Sequence, residues 1–423
     1  MALFKKYKGY GSFEHVDLDT VIIILRLTTM SLKRKLPHLV LHFDVNETIL
    51  LVDQAGGDTF EDCLNKIICK SALVRSSSLD PTTQLPTHWC DGTLISSVDS
   101  PPPPPLCPDW QWPQGMTSYY KAGGHSKEQF STFTLPGSPG QSYRPLYEKL
   151  EKAVRWVTDT TKEEGEEGEE EEEEEEGEKR EEGEGKSGES KSIAPDPRLC
   201  HDGIHHFLLP AFFHTITELK KRKRTFSIVI RTFGTDVEDV VNALSAYAEG
   251  NHLSKYVPVV EEMKFGGDNF WNGSYNKESG TFQLKSNDGK MLTNENEIVS
   301  MFHGDMESIL CFACTDDYPW WNEHSNLPSA GKPLWLTLNE EECLPIFFDD
   351  NIHNDADDSI VAVRVRETKE QNFRPLSGEE TIKMQGQHLV RVPTFAPVLN
   401  ENWFLEQIDA CEKIFLEKRE EGK

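Results

Sequence analysis

The chain has 423 residues, 37% hydrophobic and 10% aromatic, which is enough apolar material for a sizeable core and more than one domain. A formal charge of -28 argues against a nucleic-acid partner, because an anionic surface repels phosphate unless a basic patch is strongly segregated. Half of that excess sits in residues 163–189, with 17 Glu against three basic residues, so the remainder is only moderately acidic.

Residues 1–35 read as an N-terminal extension. Their apolar run Val21-Ile22-Ile23-Ile24-Leu25 is flanked by Asp19 and Arg26 and is too short to span a bilayer. It lacks the basic start and small-residue cleavage site of a secretory signal, and no membrane partner is expected. Nine unevenly spaced cysteines form no disulfide framework, which fits a reducing cytoplasmic setting. A nuclear setting is the alternative if Lys220 to Arg224 (KKRKR) is an import patch; the same residues also suit a helix C-terminus, where cations complement the dipole.

The first regular element is the run Leu39-Val40-Leu41-His42-Phe43, a buried strand that ends at Asp44, with Asn46 and Thr48 just beyond. Residues 56–204 then read as an insertion. Its stretch 76–145 is rich in Ser, Pro, Gly and Thr, and Pro101 to Pro105 predicts a short polyproline II rod. Trp89, Trp110, Trp112, Tyr119 and Tyr120 imply that parts of it have something to bury. The Glu/Gly run over 160–192 cannot, since like charges repel and glycine adds chain entropy, so it is expected to be disordered. His201, His205 and His206, near Cys200, read as the start of an amphipathic helix in preference to a metal site.

Phe226 to Arg231 predicts a second strand, ending at Thr232-Phe233-Gly234. Thr235 or Asp236 can cap a following helix that carries Val237, Val240, Val241, Leu244 and Tyr247 on one face and closes at Gly250. Residues 274–293 read as a hairpin with an Asn-Asp-Gly turn and, within 266–330, as part of a second cap element. Strands are predicted at Ile309–Cys314, Leu344–Phe348 and Ser359–Val365, and a C-terminal helix at Asn402–Lys418 within 401–423. Cys311 and Cys314 read as packed strand cysteines. The order predicts an α/β fold: a Rossmann-like, mostly parallel sheet from residues 36–55 and 205–400, carrying a large, partly disordered cap-type insertion.

Three strand ends carry polar residues: Asp44 and Asn46, then Thr232, then Asp349 and Asp350. Neighbouring parallel strands would bring these ends to one crevice. Three carboxylates there would repel one another unless a cation sat among them, and hard Mg²⁺ with oxygen ligands suits them. Asp355, Asp357 and Asp358 just beyond read as a solvated turn.

This pattern resembles the haloacid dehalogenase superfamily. "FDVNETI" looks like its first motif with Asp44 as nucleophile, "IVIRTFG" like its second with Thr232 as phosphate-binding hydroxyl, and "IFFDDN" like its fourth with Asp349 and Asp350 as metal ligands. Lys332 is the best placed cation for the third motif; Lys264, Lys285 and Lys290 are rivals. The resemblance implies Mg²⁺ held by the Asp44 carboxylate, the Asn46 backbone carbonyl and the last acidic pair. It also implies phosphate-ester hydrolysis through an aspartyl phosphate, on a small-molecule ester or a phosphoprotein.

Asn46 departs from the pattern. Phosphatases of the family resemble one another in having Asp there as general acid and base, and an amide has no titratable proton in the working range. The expectation is therefore double: a hydrolase that favours activated leaving groups, or a catalytically silent member that binds a phosphorylated ligand or protein. A scaffold acting through its proline rod and acidic run is a third, more remote class.

Overall fold

Seven consecutive buried residues, His38–Asp44, form β1, because this strand is covered on both faces and therefore has no need of alternating polarity. Leu39, Leu41 and Phe43 point into one apolar cluster and Val40 into another, the period-two division that a pleated strand imposes. The computed structural model describes residues 36–52, 57–80, 82–83, 85–95, 113–157, 194–253, 255–256, 263, 269–353, 356–357 and 359–421. The 1–35 extension, the proline rod, Trp110, Trp112, the Glu-rich run, Lys264, Asp355 and Asp358 lie outside these described residues.

The other strands, in chain order, are β2 (Leu73–Arg75), β3 (Met116–Ser118), β4 (Phe226–Thr232), β5 (Phe270–Tyr275), β6 (Phe282–Ser286) and β7 (Met291–Leu292). They are followed by β8 (Ile309–Thr315), β9 (Lys332–Thr337), β10 (Cys343–Asp349), β11 (Val361–Arg366), β12 (Arg374–Pro375) and β13 (Leu389–Arg391). Eight of them make the central sheet, in the order β13-β10-β1-β4-β8-β5-β6-β7. From β13 through β5 every neighbouring pair is parallel, and β6 and β7 are antiparallel. The fold is thus mixed α/β with a largely parallel sheet.

Helices cover both faces. Pro210–Lys221, Val237–Ala248 and Trp403–Glu421 contribute Phe212, Phe213, Leu244, Phe404 and Ile408 to the cluster under Leu41 and Phe43. Glu295–His303 contributes Ile298, Val299 and Phe302 to the other, with Trp335 of β9. None of the helices among the described residues is long and apolar enough to cross a membrane.

Residues 270–292, assigned from sequence to a second cap element, run in the central sheet as β5 to β7, where Trp271, Phe282 and Leu284 extend the Phe302 cluster. The expected turn joins β6 to β7, with Gly289 at φ +91°. Residues 201–209 do not start a helix; Pro210 takes the first helical turn, where its missing N–H costs nothing. Cys311 and Cys314 are buried on opposite faces of β8, three residues apart in a strand, and cannot share one ion.

The insertion has a core of its own. A helix at Phe60–Ser71, opened by a reciprocal Thr59/Asp62 cap, packs Leu64, Ile67 and Ile68 against Trp89, Tyr119, Phe133 and Tyr143. Its last turn carries Lys70 towards the ends of the central strands.

Candidate active site

Strands β10, β1 and β4 are adjacent and parallel, so their C-terminal residues Asp349, Asp44 and Thr232 emerge at the same end of the sheet, where open α/β sheets bind ligands. Asp350 follows directly. The carboxylates of Asp44, Asp349 and Asp350 each bring an oxygen within 4.8 Å of the others, the sole such group of potential metal ligands among the described residues. All three are buried, at 6%, 0% and 8% exposure, so solvent does little to screen their repulsion.

Lys332 enters from the separate β12-β11-β9 sheet. Its Nζ bridges Asp44 Oδ1 and Asp349 Oδ2, the latter at 2.9 Å, and lies 5.1 Å from the Phe233 ring centroid. Gly331 makes this placement feasible, because a Cβ there would fall 2.0 Å from the Ile360 carbonyl oxygen, which accepts the Lys332 N–H at 2.7 Å. Of the rival lysines, Lys285 and Lys290 are exposed on β6 and its following turn.

The remaining carboxylate oxygens are also held. The Thr48 hydroxyl donates to Asp44 Oδ2 at 3.3 Å and accepts the Asp350 N–H at 3.2 Å. Asn351 donates its N–H to Asp349 at 2.8 Å and its amide to Asp350 at 2.9 Å. Burial, followed by Asp349, pushes the Asp44 carboxyl well above the ordinary carboxylate range, against the opposing pull of Lys332. Burial pushes Asp350 up to about 6, with Glu47 and Asp349 adding to it and Lys70 resisting. At both carboxyls, burial and the neighbouring carboxylates outweigh the pull of the lysines.

Asn46 does not turn its side chain into that cluster. Its amide donates to Asp236 Oδ2 at 3.2 Å. Asp236 begins the Val237–Ala248 helix, as the sequence suggests, yet its side chain makes no cap bond. Gly234 is the floor on which these groups meet: a Cβ there would lie 2.9 Å from Asp236 Oδ2, 3.3 Å from Thr232 Oγ1 and 3.5 Å from Asn46 Oδ1. Thr232 Oγ1 accepts the Gly234 N–H at 2.8 Å, so its hydroxyl proton remains available to an incoming oxygen.

Three residues join the site that sequence reasoning missed. Glu47 stands at φ +59°, an uncommon backbone state for a residue with a side chain. Its carboxylate takes Lys70 and, at 2.9 Å, Lys66, and its carbonyl accepts the Thr394 hydroxyl. Lys70 also reaches Asp350 at 3.1 Å. Glu47 was open to detection as a further acid in the strand-end loop; nothing local marks Lys66 or Lys70. Another buried ion pair, Arg231 with Asp316, ties β4 to the end of β8.

Burial alone would raise the Glu47 carboxyl, but the Lys70 and Lys66 ammonium groups overcome it and hold it down near 2. Its folded value lies below the ordinary 4.5, so its contribution is full above 4.5 and lost as pH falls towards 2. Glu47→Gln is expected to cost roughly 3 kcal/mol at pH 7, as for other broken buried pairs. In urea unfolding the gap from wild type should narrow as the pH drops through that window; a gap that stays constant would show that charge is not its source.

Comparison with known proteins finds no matching family model, curated protein or solved structure.

Proposed function

We propose that the chain is a Mg²⁺-dependent hydrolase of the haloacid dehalogenase type, acting on a phosphate ester with Asp44 as nucleophile. The observation that carries this reading is the meeting of Asp44, Asp349 and Asp350 with Lys332 at one end of parallel strands. The donor set is all oxygen, which fits a hard divalent cation better than a soft one. Asp44, Asp349 and Asp350 would hold Mg²⁺, with the Asn46 carbonyl as the resemblance suggests, and the ion would offset charge on the phosphate as it approaches an anionic nucleophile.

The chain's own groups account for the rest. An Asp44 oxygen forms the new bond to phosphorus while the ester oxygen departs with the bonding pair, leaving an aspartyl phosphate that water hydrolyses. Lys332 stays close to the reacting carboxylate and balances charge on the transferring oxygens, and the Thr232 hydroxyl orients the phosphate. Asn46, whose amide donates to Asp236, has no proton that it could give to a leaving oxygen. Departure is then governed by the leaving group's own acidity, which favours aryl and other activated esters.

The test is turnover of aryl and alkyl phosphates with Mg²⁺. Aryl esters are expected to react faster, and Asn46→Asp to raise alkyl-ester turnover by about 10-fold, a modest part of what general acid-base catalysis supplies. The new carboxyl would face Asp236, and like charges at that separation raise the pKa of such a pair, favouring the acid form. Mg²⁺ binding without turnover of any ester would transfer the reading to a silent member that binds a phosphorylated ligand.

A further inference from the structure

Arg231 stands next to Thr232 at the end of β4, and its guanidinium is enclosed at 0% exposure. A buried cation is costly unless its donors are answered, and here each nitrogen has an acceptor. Nε and Nη2 fork onto the Asp316 carboxylate at 3.0 and 2.5 Å. Nη1 donates to the Pro333 carbonyl at 3.0 Å, with His42 Nδ1 3.4 Å away, and the guanidinium carbon lies 5.4 Å from the Phe347 ring centroid.

These partners belong to different layers. Asp316 follows β8 in the central sheet and gives its own N–H to the Thr232 carbonyl at 2.7 Å. Pro333 lies in β9, the terminal strand of the β12-β11-β9 sheet, immediately after Lys332. Lys332 turns its N–H towards β11, where the Ile360 carbonyl takes it, so the next residue presents its carbonyl to the opposite, open edge. Proline suits that edge, having no N–H to leave unanswered.

We infer that Arg231 is a positioning residue of the site: it clamps the backbone beside Lys332 to the strand end that carries Thr232, and Asp316 holds the guanidinium in the orientation this requires. The inference rests on the hydrolase reading for what Lys332 and Thr232 do. Lys332 comes from one sheet, Asp44 and Asp349 from another, so the ammonium keeps its place between them while β9 stays against the central sheet. Thr232 has its own backbone tie to Asp316. Loss of the guanidinium therefore loosens the lysine and spares the hydroxyl.

The experiment replaces the ion pair by an apolar one, Arg231→Met with Asp316→Leu, in the full chain. Buried pairs exchanged in this way often fold as well as the parent, and the Pro333 carbonyl is left without its donor. In metal-free protein, hydrogen exchange is expected to quicken about 10-fold at the amides of β9 and to stay unchanged in β1, the scale of one lost hydrogen bond. With phenyl phosphate and Mg²⁺, kcat is expected to fall about 10- to 100-fold at a KM within about 2-fold, as for a transition-state contact displaced by about 1 Å. A general loosening would move both constants. Arg231→Lys is the second variant, read in the same way if the apolar pair does not fold: it keeps a charge opposite Asp316 but lacks the planar fork that serves both partners, and the same changes are expected. Unchanged exchange at β9 would overturn the inference, as would faster exchange with kcat unaltered or with KM and kcat moving together. Absence of turnover in the unaltered protein sinks the hydrolase reading by itself, and exchange at β9 then still decides whether Arg231 fixes the Lys332 segment.

Discussion

Exchanging Asp44 for Asn is expected to abolish phosphate-ester turnover, by roughly 10⁴-fold or more, because an amide oxygen is no nucleophile towards phosphorus and no general base rescues it. The same substitution should not unfold the protein. Asp44 is buried beside Asp349 and Asp350, and its carboxyl is pushed up first by burial and then by Asp349. A group whose folded value lies above its ordinary 3.8 contributes its full stability below 3.8 and loses it as the pH rises through the raised value. Asn resembles the protonated form in size and charge. In metal-free protein at pH 7 the variant should therefore be at least as stable as the parent, with any gain vanishing at low pH. Turnover surviving in Asp44→Asn would remove the nucleophile assignment; a variant that unfolds at neutral pH would show that the carboxylate is a structural tie to Lys332.

Lys332→Met carries the largest stability loss expected here, roughly 3–5 kcal/mol, since a 1% exposed ammonium would be withdrawn from between two buried carboxylates. Burial on its own would favour the neutral amine, but Asp349 and Asp44 raise its pKa, so the cation and its contribution persist throughout the neutral range and are lost only in strong alkali. Methionine retains much of the volume and none of the charge, which isolates the electrostatic part. Mg²⁺ should restore a share of the loss by taking over charge compensation, because a ligand that binds only the folded state stabilises it by mass action. Urea unfolding with and without Mg²⁺ reads both effects. A loss below about 1 kcal/mol would place Lys332 among ordinary surface lysines in energetic terms, whatever its position.

Strand β1 and strand β10 were legible because each is a short apolar run bounded by polar residues, a signal confined to neighbours in the chain. The Val237–Ala248 helix was legible for the same reason, through its apolar face and the closing Gly250 at φ +83°. Asp236 shows the limit of such reasoning. Its position matches an N-cap, and local geometry would have it bond its own helix; the Asn46 amide, 190 residues away, takes the carboxylate instead. Residues 270–292 show another. Their hairpin is a local property, whereas whether it caps a site or extends a sheet depends on which edge lies open, and β8 offers one.

What the sequence determined by itself is the set of polar residues delivered at strand ends: Asp44, Thr232, Asp349 and Asp350. Side-chain period and composition are short-range, so a strand announces where it stops. Only the tertiary structure decided that β10, β1 and β4 are neighbours, that Lys332 crosses from another sheet to Asp44, and that Lys70 of the insertion reaches Asp350. Those contacts join residues 288 and 280 positions apart. Charge pairing over such separations depends on the packing of whole layers, because a Coulomb interaction strong enough to matter needs both groups buried within a few ångströms, and no local pattern records which layers meet.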